Sequence, residues 1–288
     1  MKLALGTVQF GLNYGVANTT GQVSSEAAGK VLQRARQSGM DTLDTAIAYG
    51  DSEAVLGGLG VQSWRVITKL SAVPDGCEDV ARWVKAQARA SIQRLGVHSL
   101  HGLLLHRPGQ LLLDIGPSLY AALLSLKAEG LAQKIGVSVY GPAELEPLFG
   151  RYSFDLVQAP LNILDRGLVD SGWAERLKQA GVEVHTRSAF LQGLLLMPAH
   201  IRPARFNHWV EVWDEWDRWL SATGLTPLQG CLRYPNSLHT IDRVVVGVDT
   251  VEQLDQVLEA ASGELAGLPH FNPLPDDRLI NPARWNEL

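Results

Sequence analysis

The sequence predicts an α/β protein of the (β/α)8, or TIM-barrel, class. Eight short apolar runs alternate with helical stretches at near-regular intervals, the pattern of parallel strands joined by right-handed crossovers. Eight such units in 288 residues suit a closed barrel better than an open doubly wound sheet. Three of the early strands end in ionisable residues, at the strand ends where barrels of this class build their sites. No linker-like or low-complexity segment divides the chain, so residues 1–288 are expected to form one domain with an irregular, Pro-rich tail from about residue 268.

Each element has its own signal. Leu3–Leu5 is a short apolar strand closed by Gly6-Thr7, and the Gly- and Asn-rich segment to Thr20 is a long loop. Ser24-Ser25-Glu26 starts a helix to about Gln37, followed by strand two over Asp41–Thr45, a short helix over Ser52–Leu59 and strand three over Arg65–Leu70. Asp79–Leu95 is amphipathic, because Val80, Val84, Ala88 and Ile92 recur on one face. Strand four is Leu100–Leu105, and Pro117–Glu129 is a helix ended by Gly130. Lys134–Ser138 is strand five, Pro142–Phe149 a short helix and Asp155–Gln158 strand six. Asp170–Ala180 is a helix ended by Gly181, and Val182–His185 is strand seven. A helix carrying Trp209, Trp213, Trp216 and Trp219 follows, then helix Pro227–Tyr234, strand eight at Arg243–Val246 and helix Val251–Ala261.

Composition removes several function classes. A net charge of −5 argues against nucleic acid as a partner, since a basic face is the usual footprint. No apolar run reaches the ~18 residues that a membrane span needs, and the N-terminus has no signal-peptide core. Two distant cysteines, Cys77 and Cys231, suit a reducing cytoplasm and ordinary buried thiols rather than a disulfide framework. No metal-ligand spacing, Gly-rich dinucleotide motif or phosphate loop is present, so no metal is expected.

The candidate chemistry sits at the ends of strands two, three and four. Asp44 ends strand two, and Tyr49 follows on its loop; Lys69 ends strand three and His106 strand four. A phenol has a reference pKa of ~10, which a nearby ammonium lowers. Lys69 would supply that ammonium, Asp44 would keep it charged and oriented, and His106 would orient a substrate oxygen. The four together would protonate a carbonyl or deprotonate an alcohol while hydride moves at carbon, and hydride needs a cofactor because no side chain carries it. Singly, each has a plainer explanation: a surface aromatic, a solvated strand end, a turn cap, a loop histidine. Their joint placement at strand ends of a barrel is what favours function.

These residues resemble the aldo/keto reductase family. Gly6-Thr-Val-Gln-Phe-Gly11 is similar to its opening strand-loop. The stretch Gly39-Met-Asp41-Thr-Leu-Asp44-Thr-Ala-x-x-Tyr49-Gly50-x-Ser52-Glu53-x-x-Leu56-Gly57 is similar to its most specific signature. Val66-Ile-Thr-Lys69, Leu104-Leu-His106 and Lys134-Ile-Gly-Val-Ser138 match later strands, so the resemblance runs from Leu3 to about Ala261. It implies NAD(P)H-dependent reduction of an aldehyde, ketone or sugar carbonyl, or the reverse oxidation. Tyr49 would be general acid/base, tuned by Lys69 and Asp44, with His106 placing the substrate.

The resemblance also implies a cofactor path. Gly6 and Thr7 would lie at its start, and Ser138 and Gln158 would hydrogen-bond the nicotinamide carboxamide. Arg187 stands where a ring-stacking aromatic is common, and a planar guanidinium can also stack. Val139 stands where the family often has Asn. Ser188, Phe190, Leu191, Gln192 and Gly193 would follow the pyrophosphate. The strand-eight loop, with Gly247, Asp249 and Gln253, would hold the adenosine phosphate at a helix N-terminus. Gly247 and Gln253 replace the basic residues usual in NADP-preferring members, and Asp249 suits a ribose hydroxyl better than a phosphate. NADP(H) and NAD(H) both remain open. Many members place a β-hairpin plug before strand one; strand one begins at Leu3 here, so that plug is expected to be lacking.

Other features point to substrate rather than chemistry. Gln192, Arg187 and Asn162, with tryptophan alongside, would suit a small polar or sugar-like carbonyl. The Trp209–Trp219 helix reads as core packing, with a substrate platform as the sharper alternative. Arg202 and Arg205 are either solvated or turned toward an anionic substrate. The protein is expected to be a monomer or weak homo-oligomer. The leading function is a cytoplasmic NAD(P)-dependent oxidoreductase. The alternative is a cofactor-binding sensor or accessory subunit with little turnover, and a metal-dependent barrel hydrolase is poorly supported.

Overall fold

Parallel strands and crossing helices close into a barrel in which each strand pairs with the next and β8 returns to β1. The structure, a computed structural model, describes residues 2–18, 21–265, 267–272 and 274–288. Thr19 and Thr20, the end of the first predicted loop, lie outside the described residues, as does Pro273 of the tail.

The strands are β1 (Leu3–Gly6), β2 (Thr42–Asp44), β3 (Arg65–Leu70), β4 (Leu100–Leu105), β5 (Ala132–Ser138), β6 (Leu156–Pro160), β7 (Glu183–Arg187) and β8 (Arg243–Gly247). Between them run α1 (Ser25–Gln37), α2 (Ser52–Gly58), α3 (Val80–Leu95), α4 (Gly116–Ala128) and α5 (Leu145–Phe149). The second half carries α6 (Gly167–Asp170), α7 (Trp173–Gln179), α8 (Val210–Thr223), α9 (Pro227–Ser237), α10 (Val251–Ala260) and α11 (Asp277–Ile280). Helix starts follow the cap residues. Ser24, Asp79, Thr226 and Thr250 each accept a backbone N–H from the first turn of the helix they open.

Two elements differ from expectation. The helix predicted over 170–180 begins only at Trp173, as α7, because Gly172 at φ +79° separates it from a short α6 that ends at Asp170. The tail, expected to be irregular, holds α11 and a 3-10 turn over Pro282–Glu287. Its Asp276 caps α11, and Trp285 is buried against Phe206 with ring centroids 4.9 Å apart.

The main core lies between barrel and helices, and a separate apolar plug of Ile67, Leu104 and Leu156 is buried apart from it. Gly102 and Gly136 make room for that plug: a Cβ at Gly102 would stand 2.8 Å from Ile67 Cδ1, and one at Gly136 2.8 Å from Leu104 Cδ2. Towards the strand starts, Lys134 pairs with Glu183, whose other oxygen accepts from His185 Nε2 at 2.7 Å. Towards the strand ends lie Asp44, Lys69 and Gln158. The plug thus separates a polar floor from a polar mouth, and the mouth opens into a large cavity. No helix among the described residues is long and apolar enough to cross a membrane.

Candidate active site

Lys69 is the most buried charge at the mouth, at 1% exposure. Strand β3 carries it inward, and its ammonium donates to Asp44 Oδ1 at 2.6 Å and to the Thr45 carbonyl at 2.9 Å. Burial pulls the Lys69 ammonium down, but the Asp44 carboxylate and Tyr49 outweigh it and hold the group above its ordinary value. Gln158 Nε2 donates to the second oxygen, Asp44 Oδ2, at 2.7 Å. Both Asp44 oxygens are therefore engaged, which is the condition for a buried carboxylate.

Tyr49 stands above this pair. Its ring centroid is 5.0 Å from Lys69 Nζ, and the His106 ring meets it edge-on at 5.9 Å. His106 is pushed down from 6.5 to about 4, by burial first and then by the Lys69 and Arg187 charges. At neutral pH it is an uncharged imidazole with one ring N–H available as a donor.

The loop carrying Tyr49 is braced from below. Ser52 Oγ donates to the Thr7 carbonyl at 2.8 Å, and Thr7 Oγ1 donates to the Asp44 carbonyl at 3.0 Å. Glu53, 2% exposed, accepts from Thr68, Ser91 and Arg94. Gly11 and Gly50 fit against each other so closely that a Cβ on Gly50 would lie 2.3 Å from the Gly11 carbonyl oxygen. These contacts tie β1, β2, β3 and α3 to the phenol's position.

Asp44, Tyr49 and His106 line one cavity of about 580 Å³ that runs away from them along the barrel rim. Every cofactor residue proposed from the sequence lines it except Leu191 and Gln158, both fully buried, Gln158 against Asp44. Gln158 Oε1 lies 3.4 Å from Ser138 Oγ, so Ser138 faces the cavity and Gln158 positions the groups behind it. Gly6, Thr7 and Ser138 lie at the catalytic end. Arg187 and Ser188 form the wall after β7, with Phe190, Gln192 and Gly193 beyond them. Gly247, paired with Gly6 across β8 and β1, leads on to Asp249 and Gln253 at the far end.

Several expectations change in detail. Leu191 is fully buried and faces the core, not the cavity. Asn162 is also fully buried: it donates to the Ser188 carbonyl and accepts from the Leu164 and Asp165 N–H groups, so it shapes the β7 loop and not the pocket surface. Gly193 answers to another close neighbour: its φ is +90°, and a Cβ there would stand 2.6 Å from Ala17 Cβ. Trp209, Trp213, Trp216 and Trp219 are all buried, so that helix is packing and not a platform. Arg202 lies over the Trp213 ring at 4.2 Å and Arg205 over Phe206 at 5.1 Å; neither lines the cavity.

The sequence reading missed Gln9, Tyr14, Tyr140, Gln256, Pro282 and Ala283, all in the wall. Gln9 sat within the quoted opening motif and Tyr140 directly beyond strand five, so both carried a positional signal. Pro282 and Ala283 carried none. The first loop reaches the β7 loop through Val16 N–H, which donates to the Gln192 carbonyl at 3.1 Å. Ser188, Leu191 and Gln192 hold φ values of +63°, +48° and +54°, a left-handed backbone that costs non-glycine residues ~1–3 kcal/mol each.

The far end fits a polar, dinucleotide-like group. Gln9 Oε1 and Asp249 Oδ1 are buried without a hydrogen-bond partner, although both residues line the cavity. Gln9 lies against Gly247 so closely that a Cβ there would be 2.2 Å from Gln9 Nε2. Two orphaned acceptors of this kind suit a ligand's hydroxyl donors. Among the described residues no group of three or more His, Cys, Asp or Glu could hold a metal ion.

Comparison with known proteins agrees with this geometry. The sequence profile described as the Aldo/keto reductase family matches residues 2–266. An aldo-keto reductase of Mycolicibacterium smegmatis is 32% identical over 133 residues, which is 44% of this chain and 45% of that protein. The match therefore spans under half the length of that relative. The solved structure of the aldo-keto reductase AKR11C1 from Bacillus halodurans, in its holo form, superposes with a TM-score of 0.70 at 19% identity, covering 98% of this chain and 95% of that one. Its apo form gives 0.68 at 18% identity, covering 98% and 94%. Those two likenesses establish the fold, and the profile over nearly the whole chain establishes the family: the chain belongs to the aldo/keto reductase family, whose members are oxidoreductases.

Proposed function

We propose that the protein reduces an aldehyde, ketone or sugar carbonyl with a reduced nicotinamide dinucleotide. The observation that carries this reading is the buried Lys69–Asp44 pair directly beneath the Tyr49 ring, at the closed end of a long cavity. The dinucleotide, when bound, supplies hydride to the carbonyl carbon. Tyr49 gives its hydroxyl proton to the oxygen as that oxygen becomes an alcohol. The Lys69 ammonium favours the resulting phenolate. Asp44 keeps Lys69 charged, and Gln158 keeps Asp44 in place. Neutral His106 donates a hydrogen bond to the carbonyl oxygen and fixes its position. In the oxidative direction the same groups act in reverse.

Ser138 and Arg187 would hold the reacting end of the dinucleotide, the segment Ser188–Gly193 its middle, and Gln9, Asp249 and Gln253 its far ribose. A protein of this kind acts in the cytoplasm as a single barrel domain, as a monomer or weak homo-oligomer. The test is Tyr49→Phe. Carbonyl reduction should fall ~10²- to 10⁴-fold, the range of a lost general acid, while dinucleotide affinity, read by quenching of tryptophan fluorescence, stays within a factor of about three. Wild-type protein that binds dinucleotide yet reduces no member of a broad panel of aldehydes and aldoses would instead make it a cofactor-binding sensor.

A further inference from the structure

Ser52 is the first residue of α2, yet its hydroxyl does not serve the helix. Serine at a helix start ordinarily accepts a backbone N–H of the first turn, but α2 has no side-chain cap. The hydroxyl turns inward instead, where Thr7, Thr45 and Ser52 are all fully buried. Ser52 Oγ donates to the Thr7 carbonyl at 2.8 Å and lies 3.0 Å from both Thr7 Oγ1 and Thr45 Oγ1. Thr7 Oγ1 in turn donates to the Asp44 carbonyl at 3.0 Å. Each hydroxyl has one proton, and carbonyl oxygens only accept. With the Thr7 proton on the Asp44 carbonyl and the Ser52 proton on the Thr7 carbonyl, Thr45 Oγ1 is left to donate to Ser52 Oγ.

This chain of hydroxyls ends on the reacting groups. The Thr45 carbonyl accepts from the Lys69 ammonium at 2.9 Å. Asp44, reached through Thr7, holds the same ammonium at 2.6 Å. The Ser52 N–H donates to the Tyr49 carbonyl at 3.0 Å. Gly11 closes on that turn, since a Cβ there would stand 1.8 Å from the Tyr49 carbonyl oxygen. Ser52 therefore ties the phenol-bearing turn through its backbone, and both members of the buried ion pair through its side chain. It does not itself line the cavity.

Resting on the carbonyl-reduction reading above, we infer that Ser52 is a positioning residue for proton transfer: its buried hydroxyl, through Thr7 and Thr45, fixes where the Tyr49 phenol stands over Lys69. No bond to Ser52 forms or breaks in the reaction. A phenol displaced by about 1 Å loses its alignment with the carbonyl oxygen, an error that costs up to roughly 100-fold in rate. Because Ser52 lies outside the cavity wall, its loss should act on kcat and spare KM and dinucleotide affinity. A serine that only stabilised the fold would show no such split.

The test separates stability from positioning with two variants. Ser52→Ala leaves the Thr7 carbonyl with the Phe10 N–H at 3.0 Å but strips Thr45 Oγ1 of its acceptor. The double variant Ser52→Ala/Thr45→Val orphans no hydroxyl, so its thermal melt should return toward that of the wild type. Rates are read at a temperature where circular dichroism shows each variant folded. In Ser52→Ala kcat should fall roughly 10- to 100-fold, and it should stay low in the double variant, with KM and dinucleotide affinity within a factor of about three. An unchanged kcat in Ser52→Ala overturns the inference. So does a kcat that recovers with the melt in the double variant, which makes Ser52 a stabilising residue only. Labelling with 3-fluorotyrosine gives an answer independent of turnover. The fluorine NMR line of Tyr49, assigned by its loss in Tyr49→Phe, should shift or broaden in both variants. The lines of Tyr120 and Tyr152, which pack together outside the cavity, should hold. If wild-type protein reduces no carbonyl, the reductase reading fails, and the altered Tyr49 line still supports the positioning role. A Tyr49 line unaltered in either variant overturns it.

Discussion

His106 shows how a single side chain takes its chemistry from its neighbours. An exposed histidine would be half charged near pH 6.5, but here burial, then Lys69 and Arg187, keep the imidazole neutral down to about 4. In the unfolded chain the same ring takes its proton at 6.5. Between those values the unfolded state binds more protons, so stability from this group falls as pH drops from about 6.5 to 4 and changes no further below that. We expect any acid limb of kcat/KM assigned to His106 to lie near pH 4. A wild-type limb at 6 to 7 that vanishes in His106→Asn would contradict the neutral-donor role. The same variant should lose less stability than wild type when denaturant melts at pH 7 and pH 4.5 are compared. That Asp44, Tyr49, Lys69 and His106 would meet was legible beforehand, because three of them end apolar strands and barrel topology brings strand ends together. What they contact was not legible. That Gln158 holds Asp44, and that Arg187 lies on Tyr140, depends on side chains 114 and 47 positions apart in sequence meeting across the barrel mouth.

On the reading proposed above, the loop from β8 to α10 would decide which dinucleotide the cavity accepts. Thr250 caps α10 by accepting from Gln253 N–H, and Gln253 Oε1 accepts from Asp249 N–H at 2.8 Å. Val248, Asp249, Gln253, Gln256 and Val257 line this end, and none is cationic. Burial raises the Asp249 carboxyl, a sign that it lacks solvent, and its Oδ1 has no partner. A 2′-phosphate placed here would meet a carboxylate and no cation, whereas a ribose diol would satisfy the orphaned oxygen. We expect NADH to bind more tightly than NADPH in fluorescence titration. Gln253→Arg and Asp249→Asn should each narrow the gap, by roughly tenfold for the new charge-assisted contact. Tighter NADPH binding by the wild type, or no narrowing in Gln253→Arg, would remove this loop from the discrimination. Element boundaries explain which parts of the fold could be read early. β3 and β4 are bounded as expected, since each is an uninterrupted apolar run. The helix expected from 170 starts only after Gly172, and a glycine inside a helical pattern carries no mark that says whether the helix will run through it.

At the scale of the whole molecule, the barrel supplies strand tips and the chain beyond it supplies the lid. Residues after α10 cross back over the rim: Arg166 donates to the Pro269 carbonyl at 2.9 Å, and Phe271 is buried beneath the same guanidinium. The path then reaches α11, where Trp285 Nε1 donates to the Leu279 carbonyl at 3.0 Å and its ring packs on Phe206. Pro282 and Ala283, between these anchors, form part of the cavity wall. None of this was legible, because a Pro-rich stretch with no periodicity gives no sign of where it docks; its one buried tryptophan could as well have faced a partner. The arrangement makes the tail a wall anchored by the Arg166–Pro269 bond and the buried Phe271, Leu279 and Trp285. Trp285→Ala should cost roughly 3–5 kcal/mol if the tail is an integral part of the folded unit, read by urea melts followed by far-UV circular dichroism. If the tail instead detaches locally, the main transition should hardly move while proteolysis within residues 268–288 accelerates. In either case dinucleotide affinity should fall, because the wall at Pro282 and Ala283 is lost with the anchor. An unchanged melt together with unchanged affinity would show that the cavity is closed without the tail.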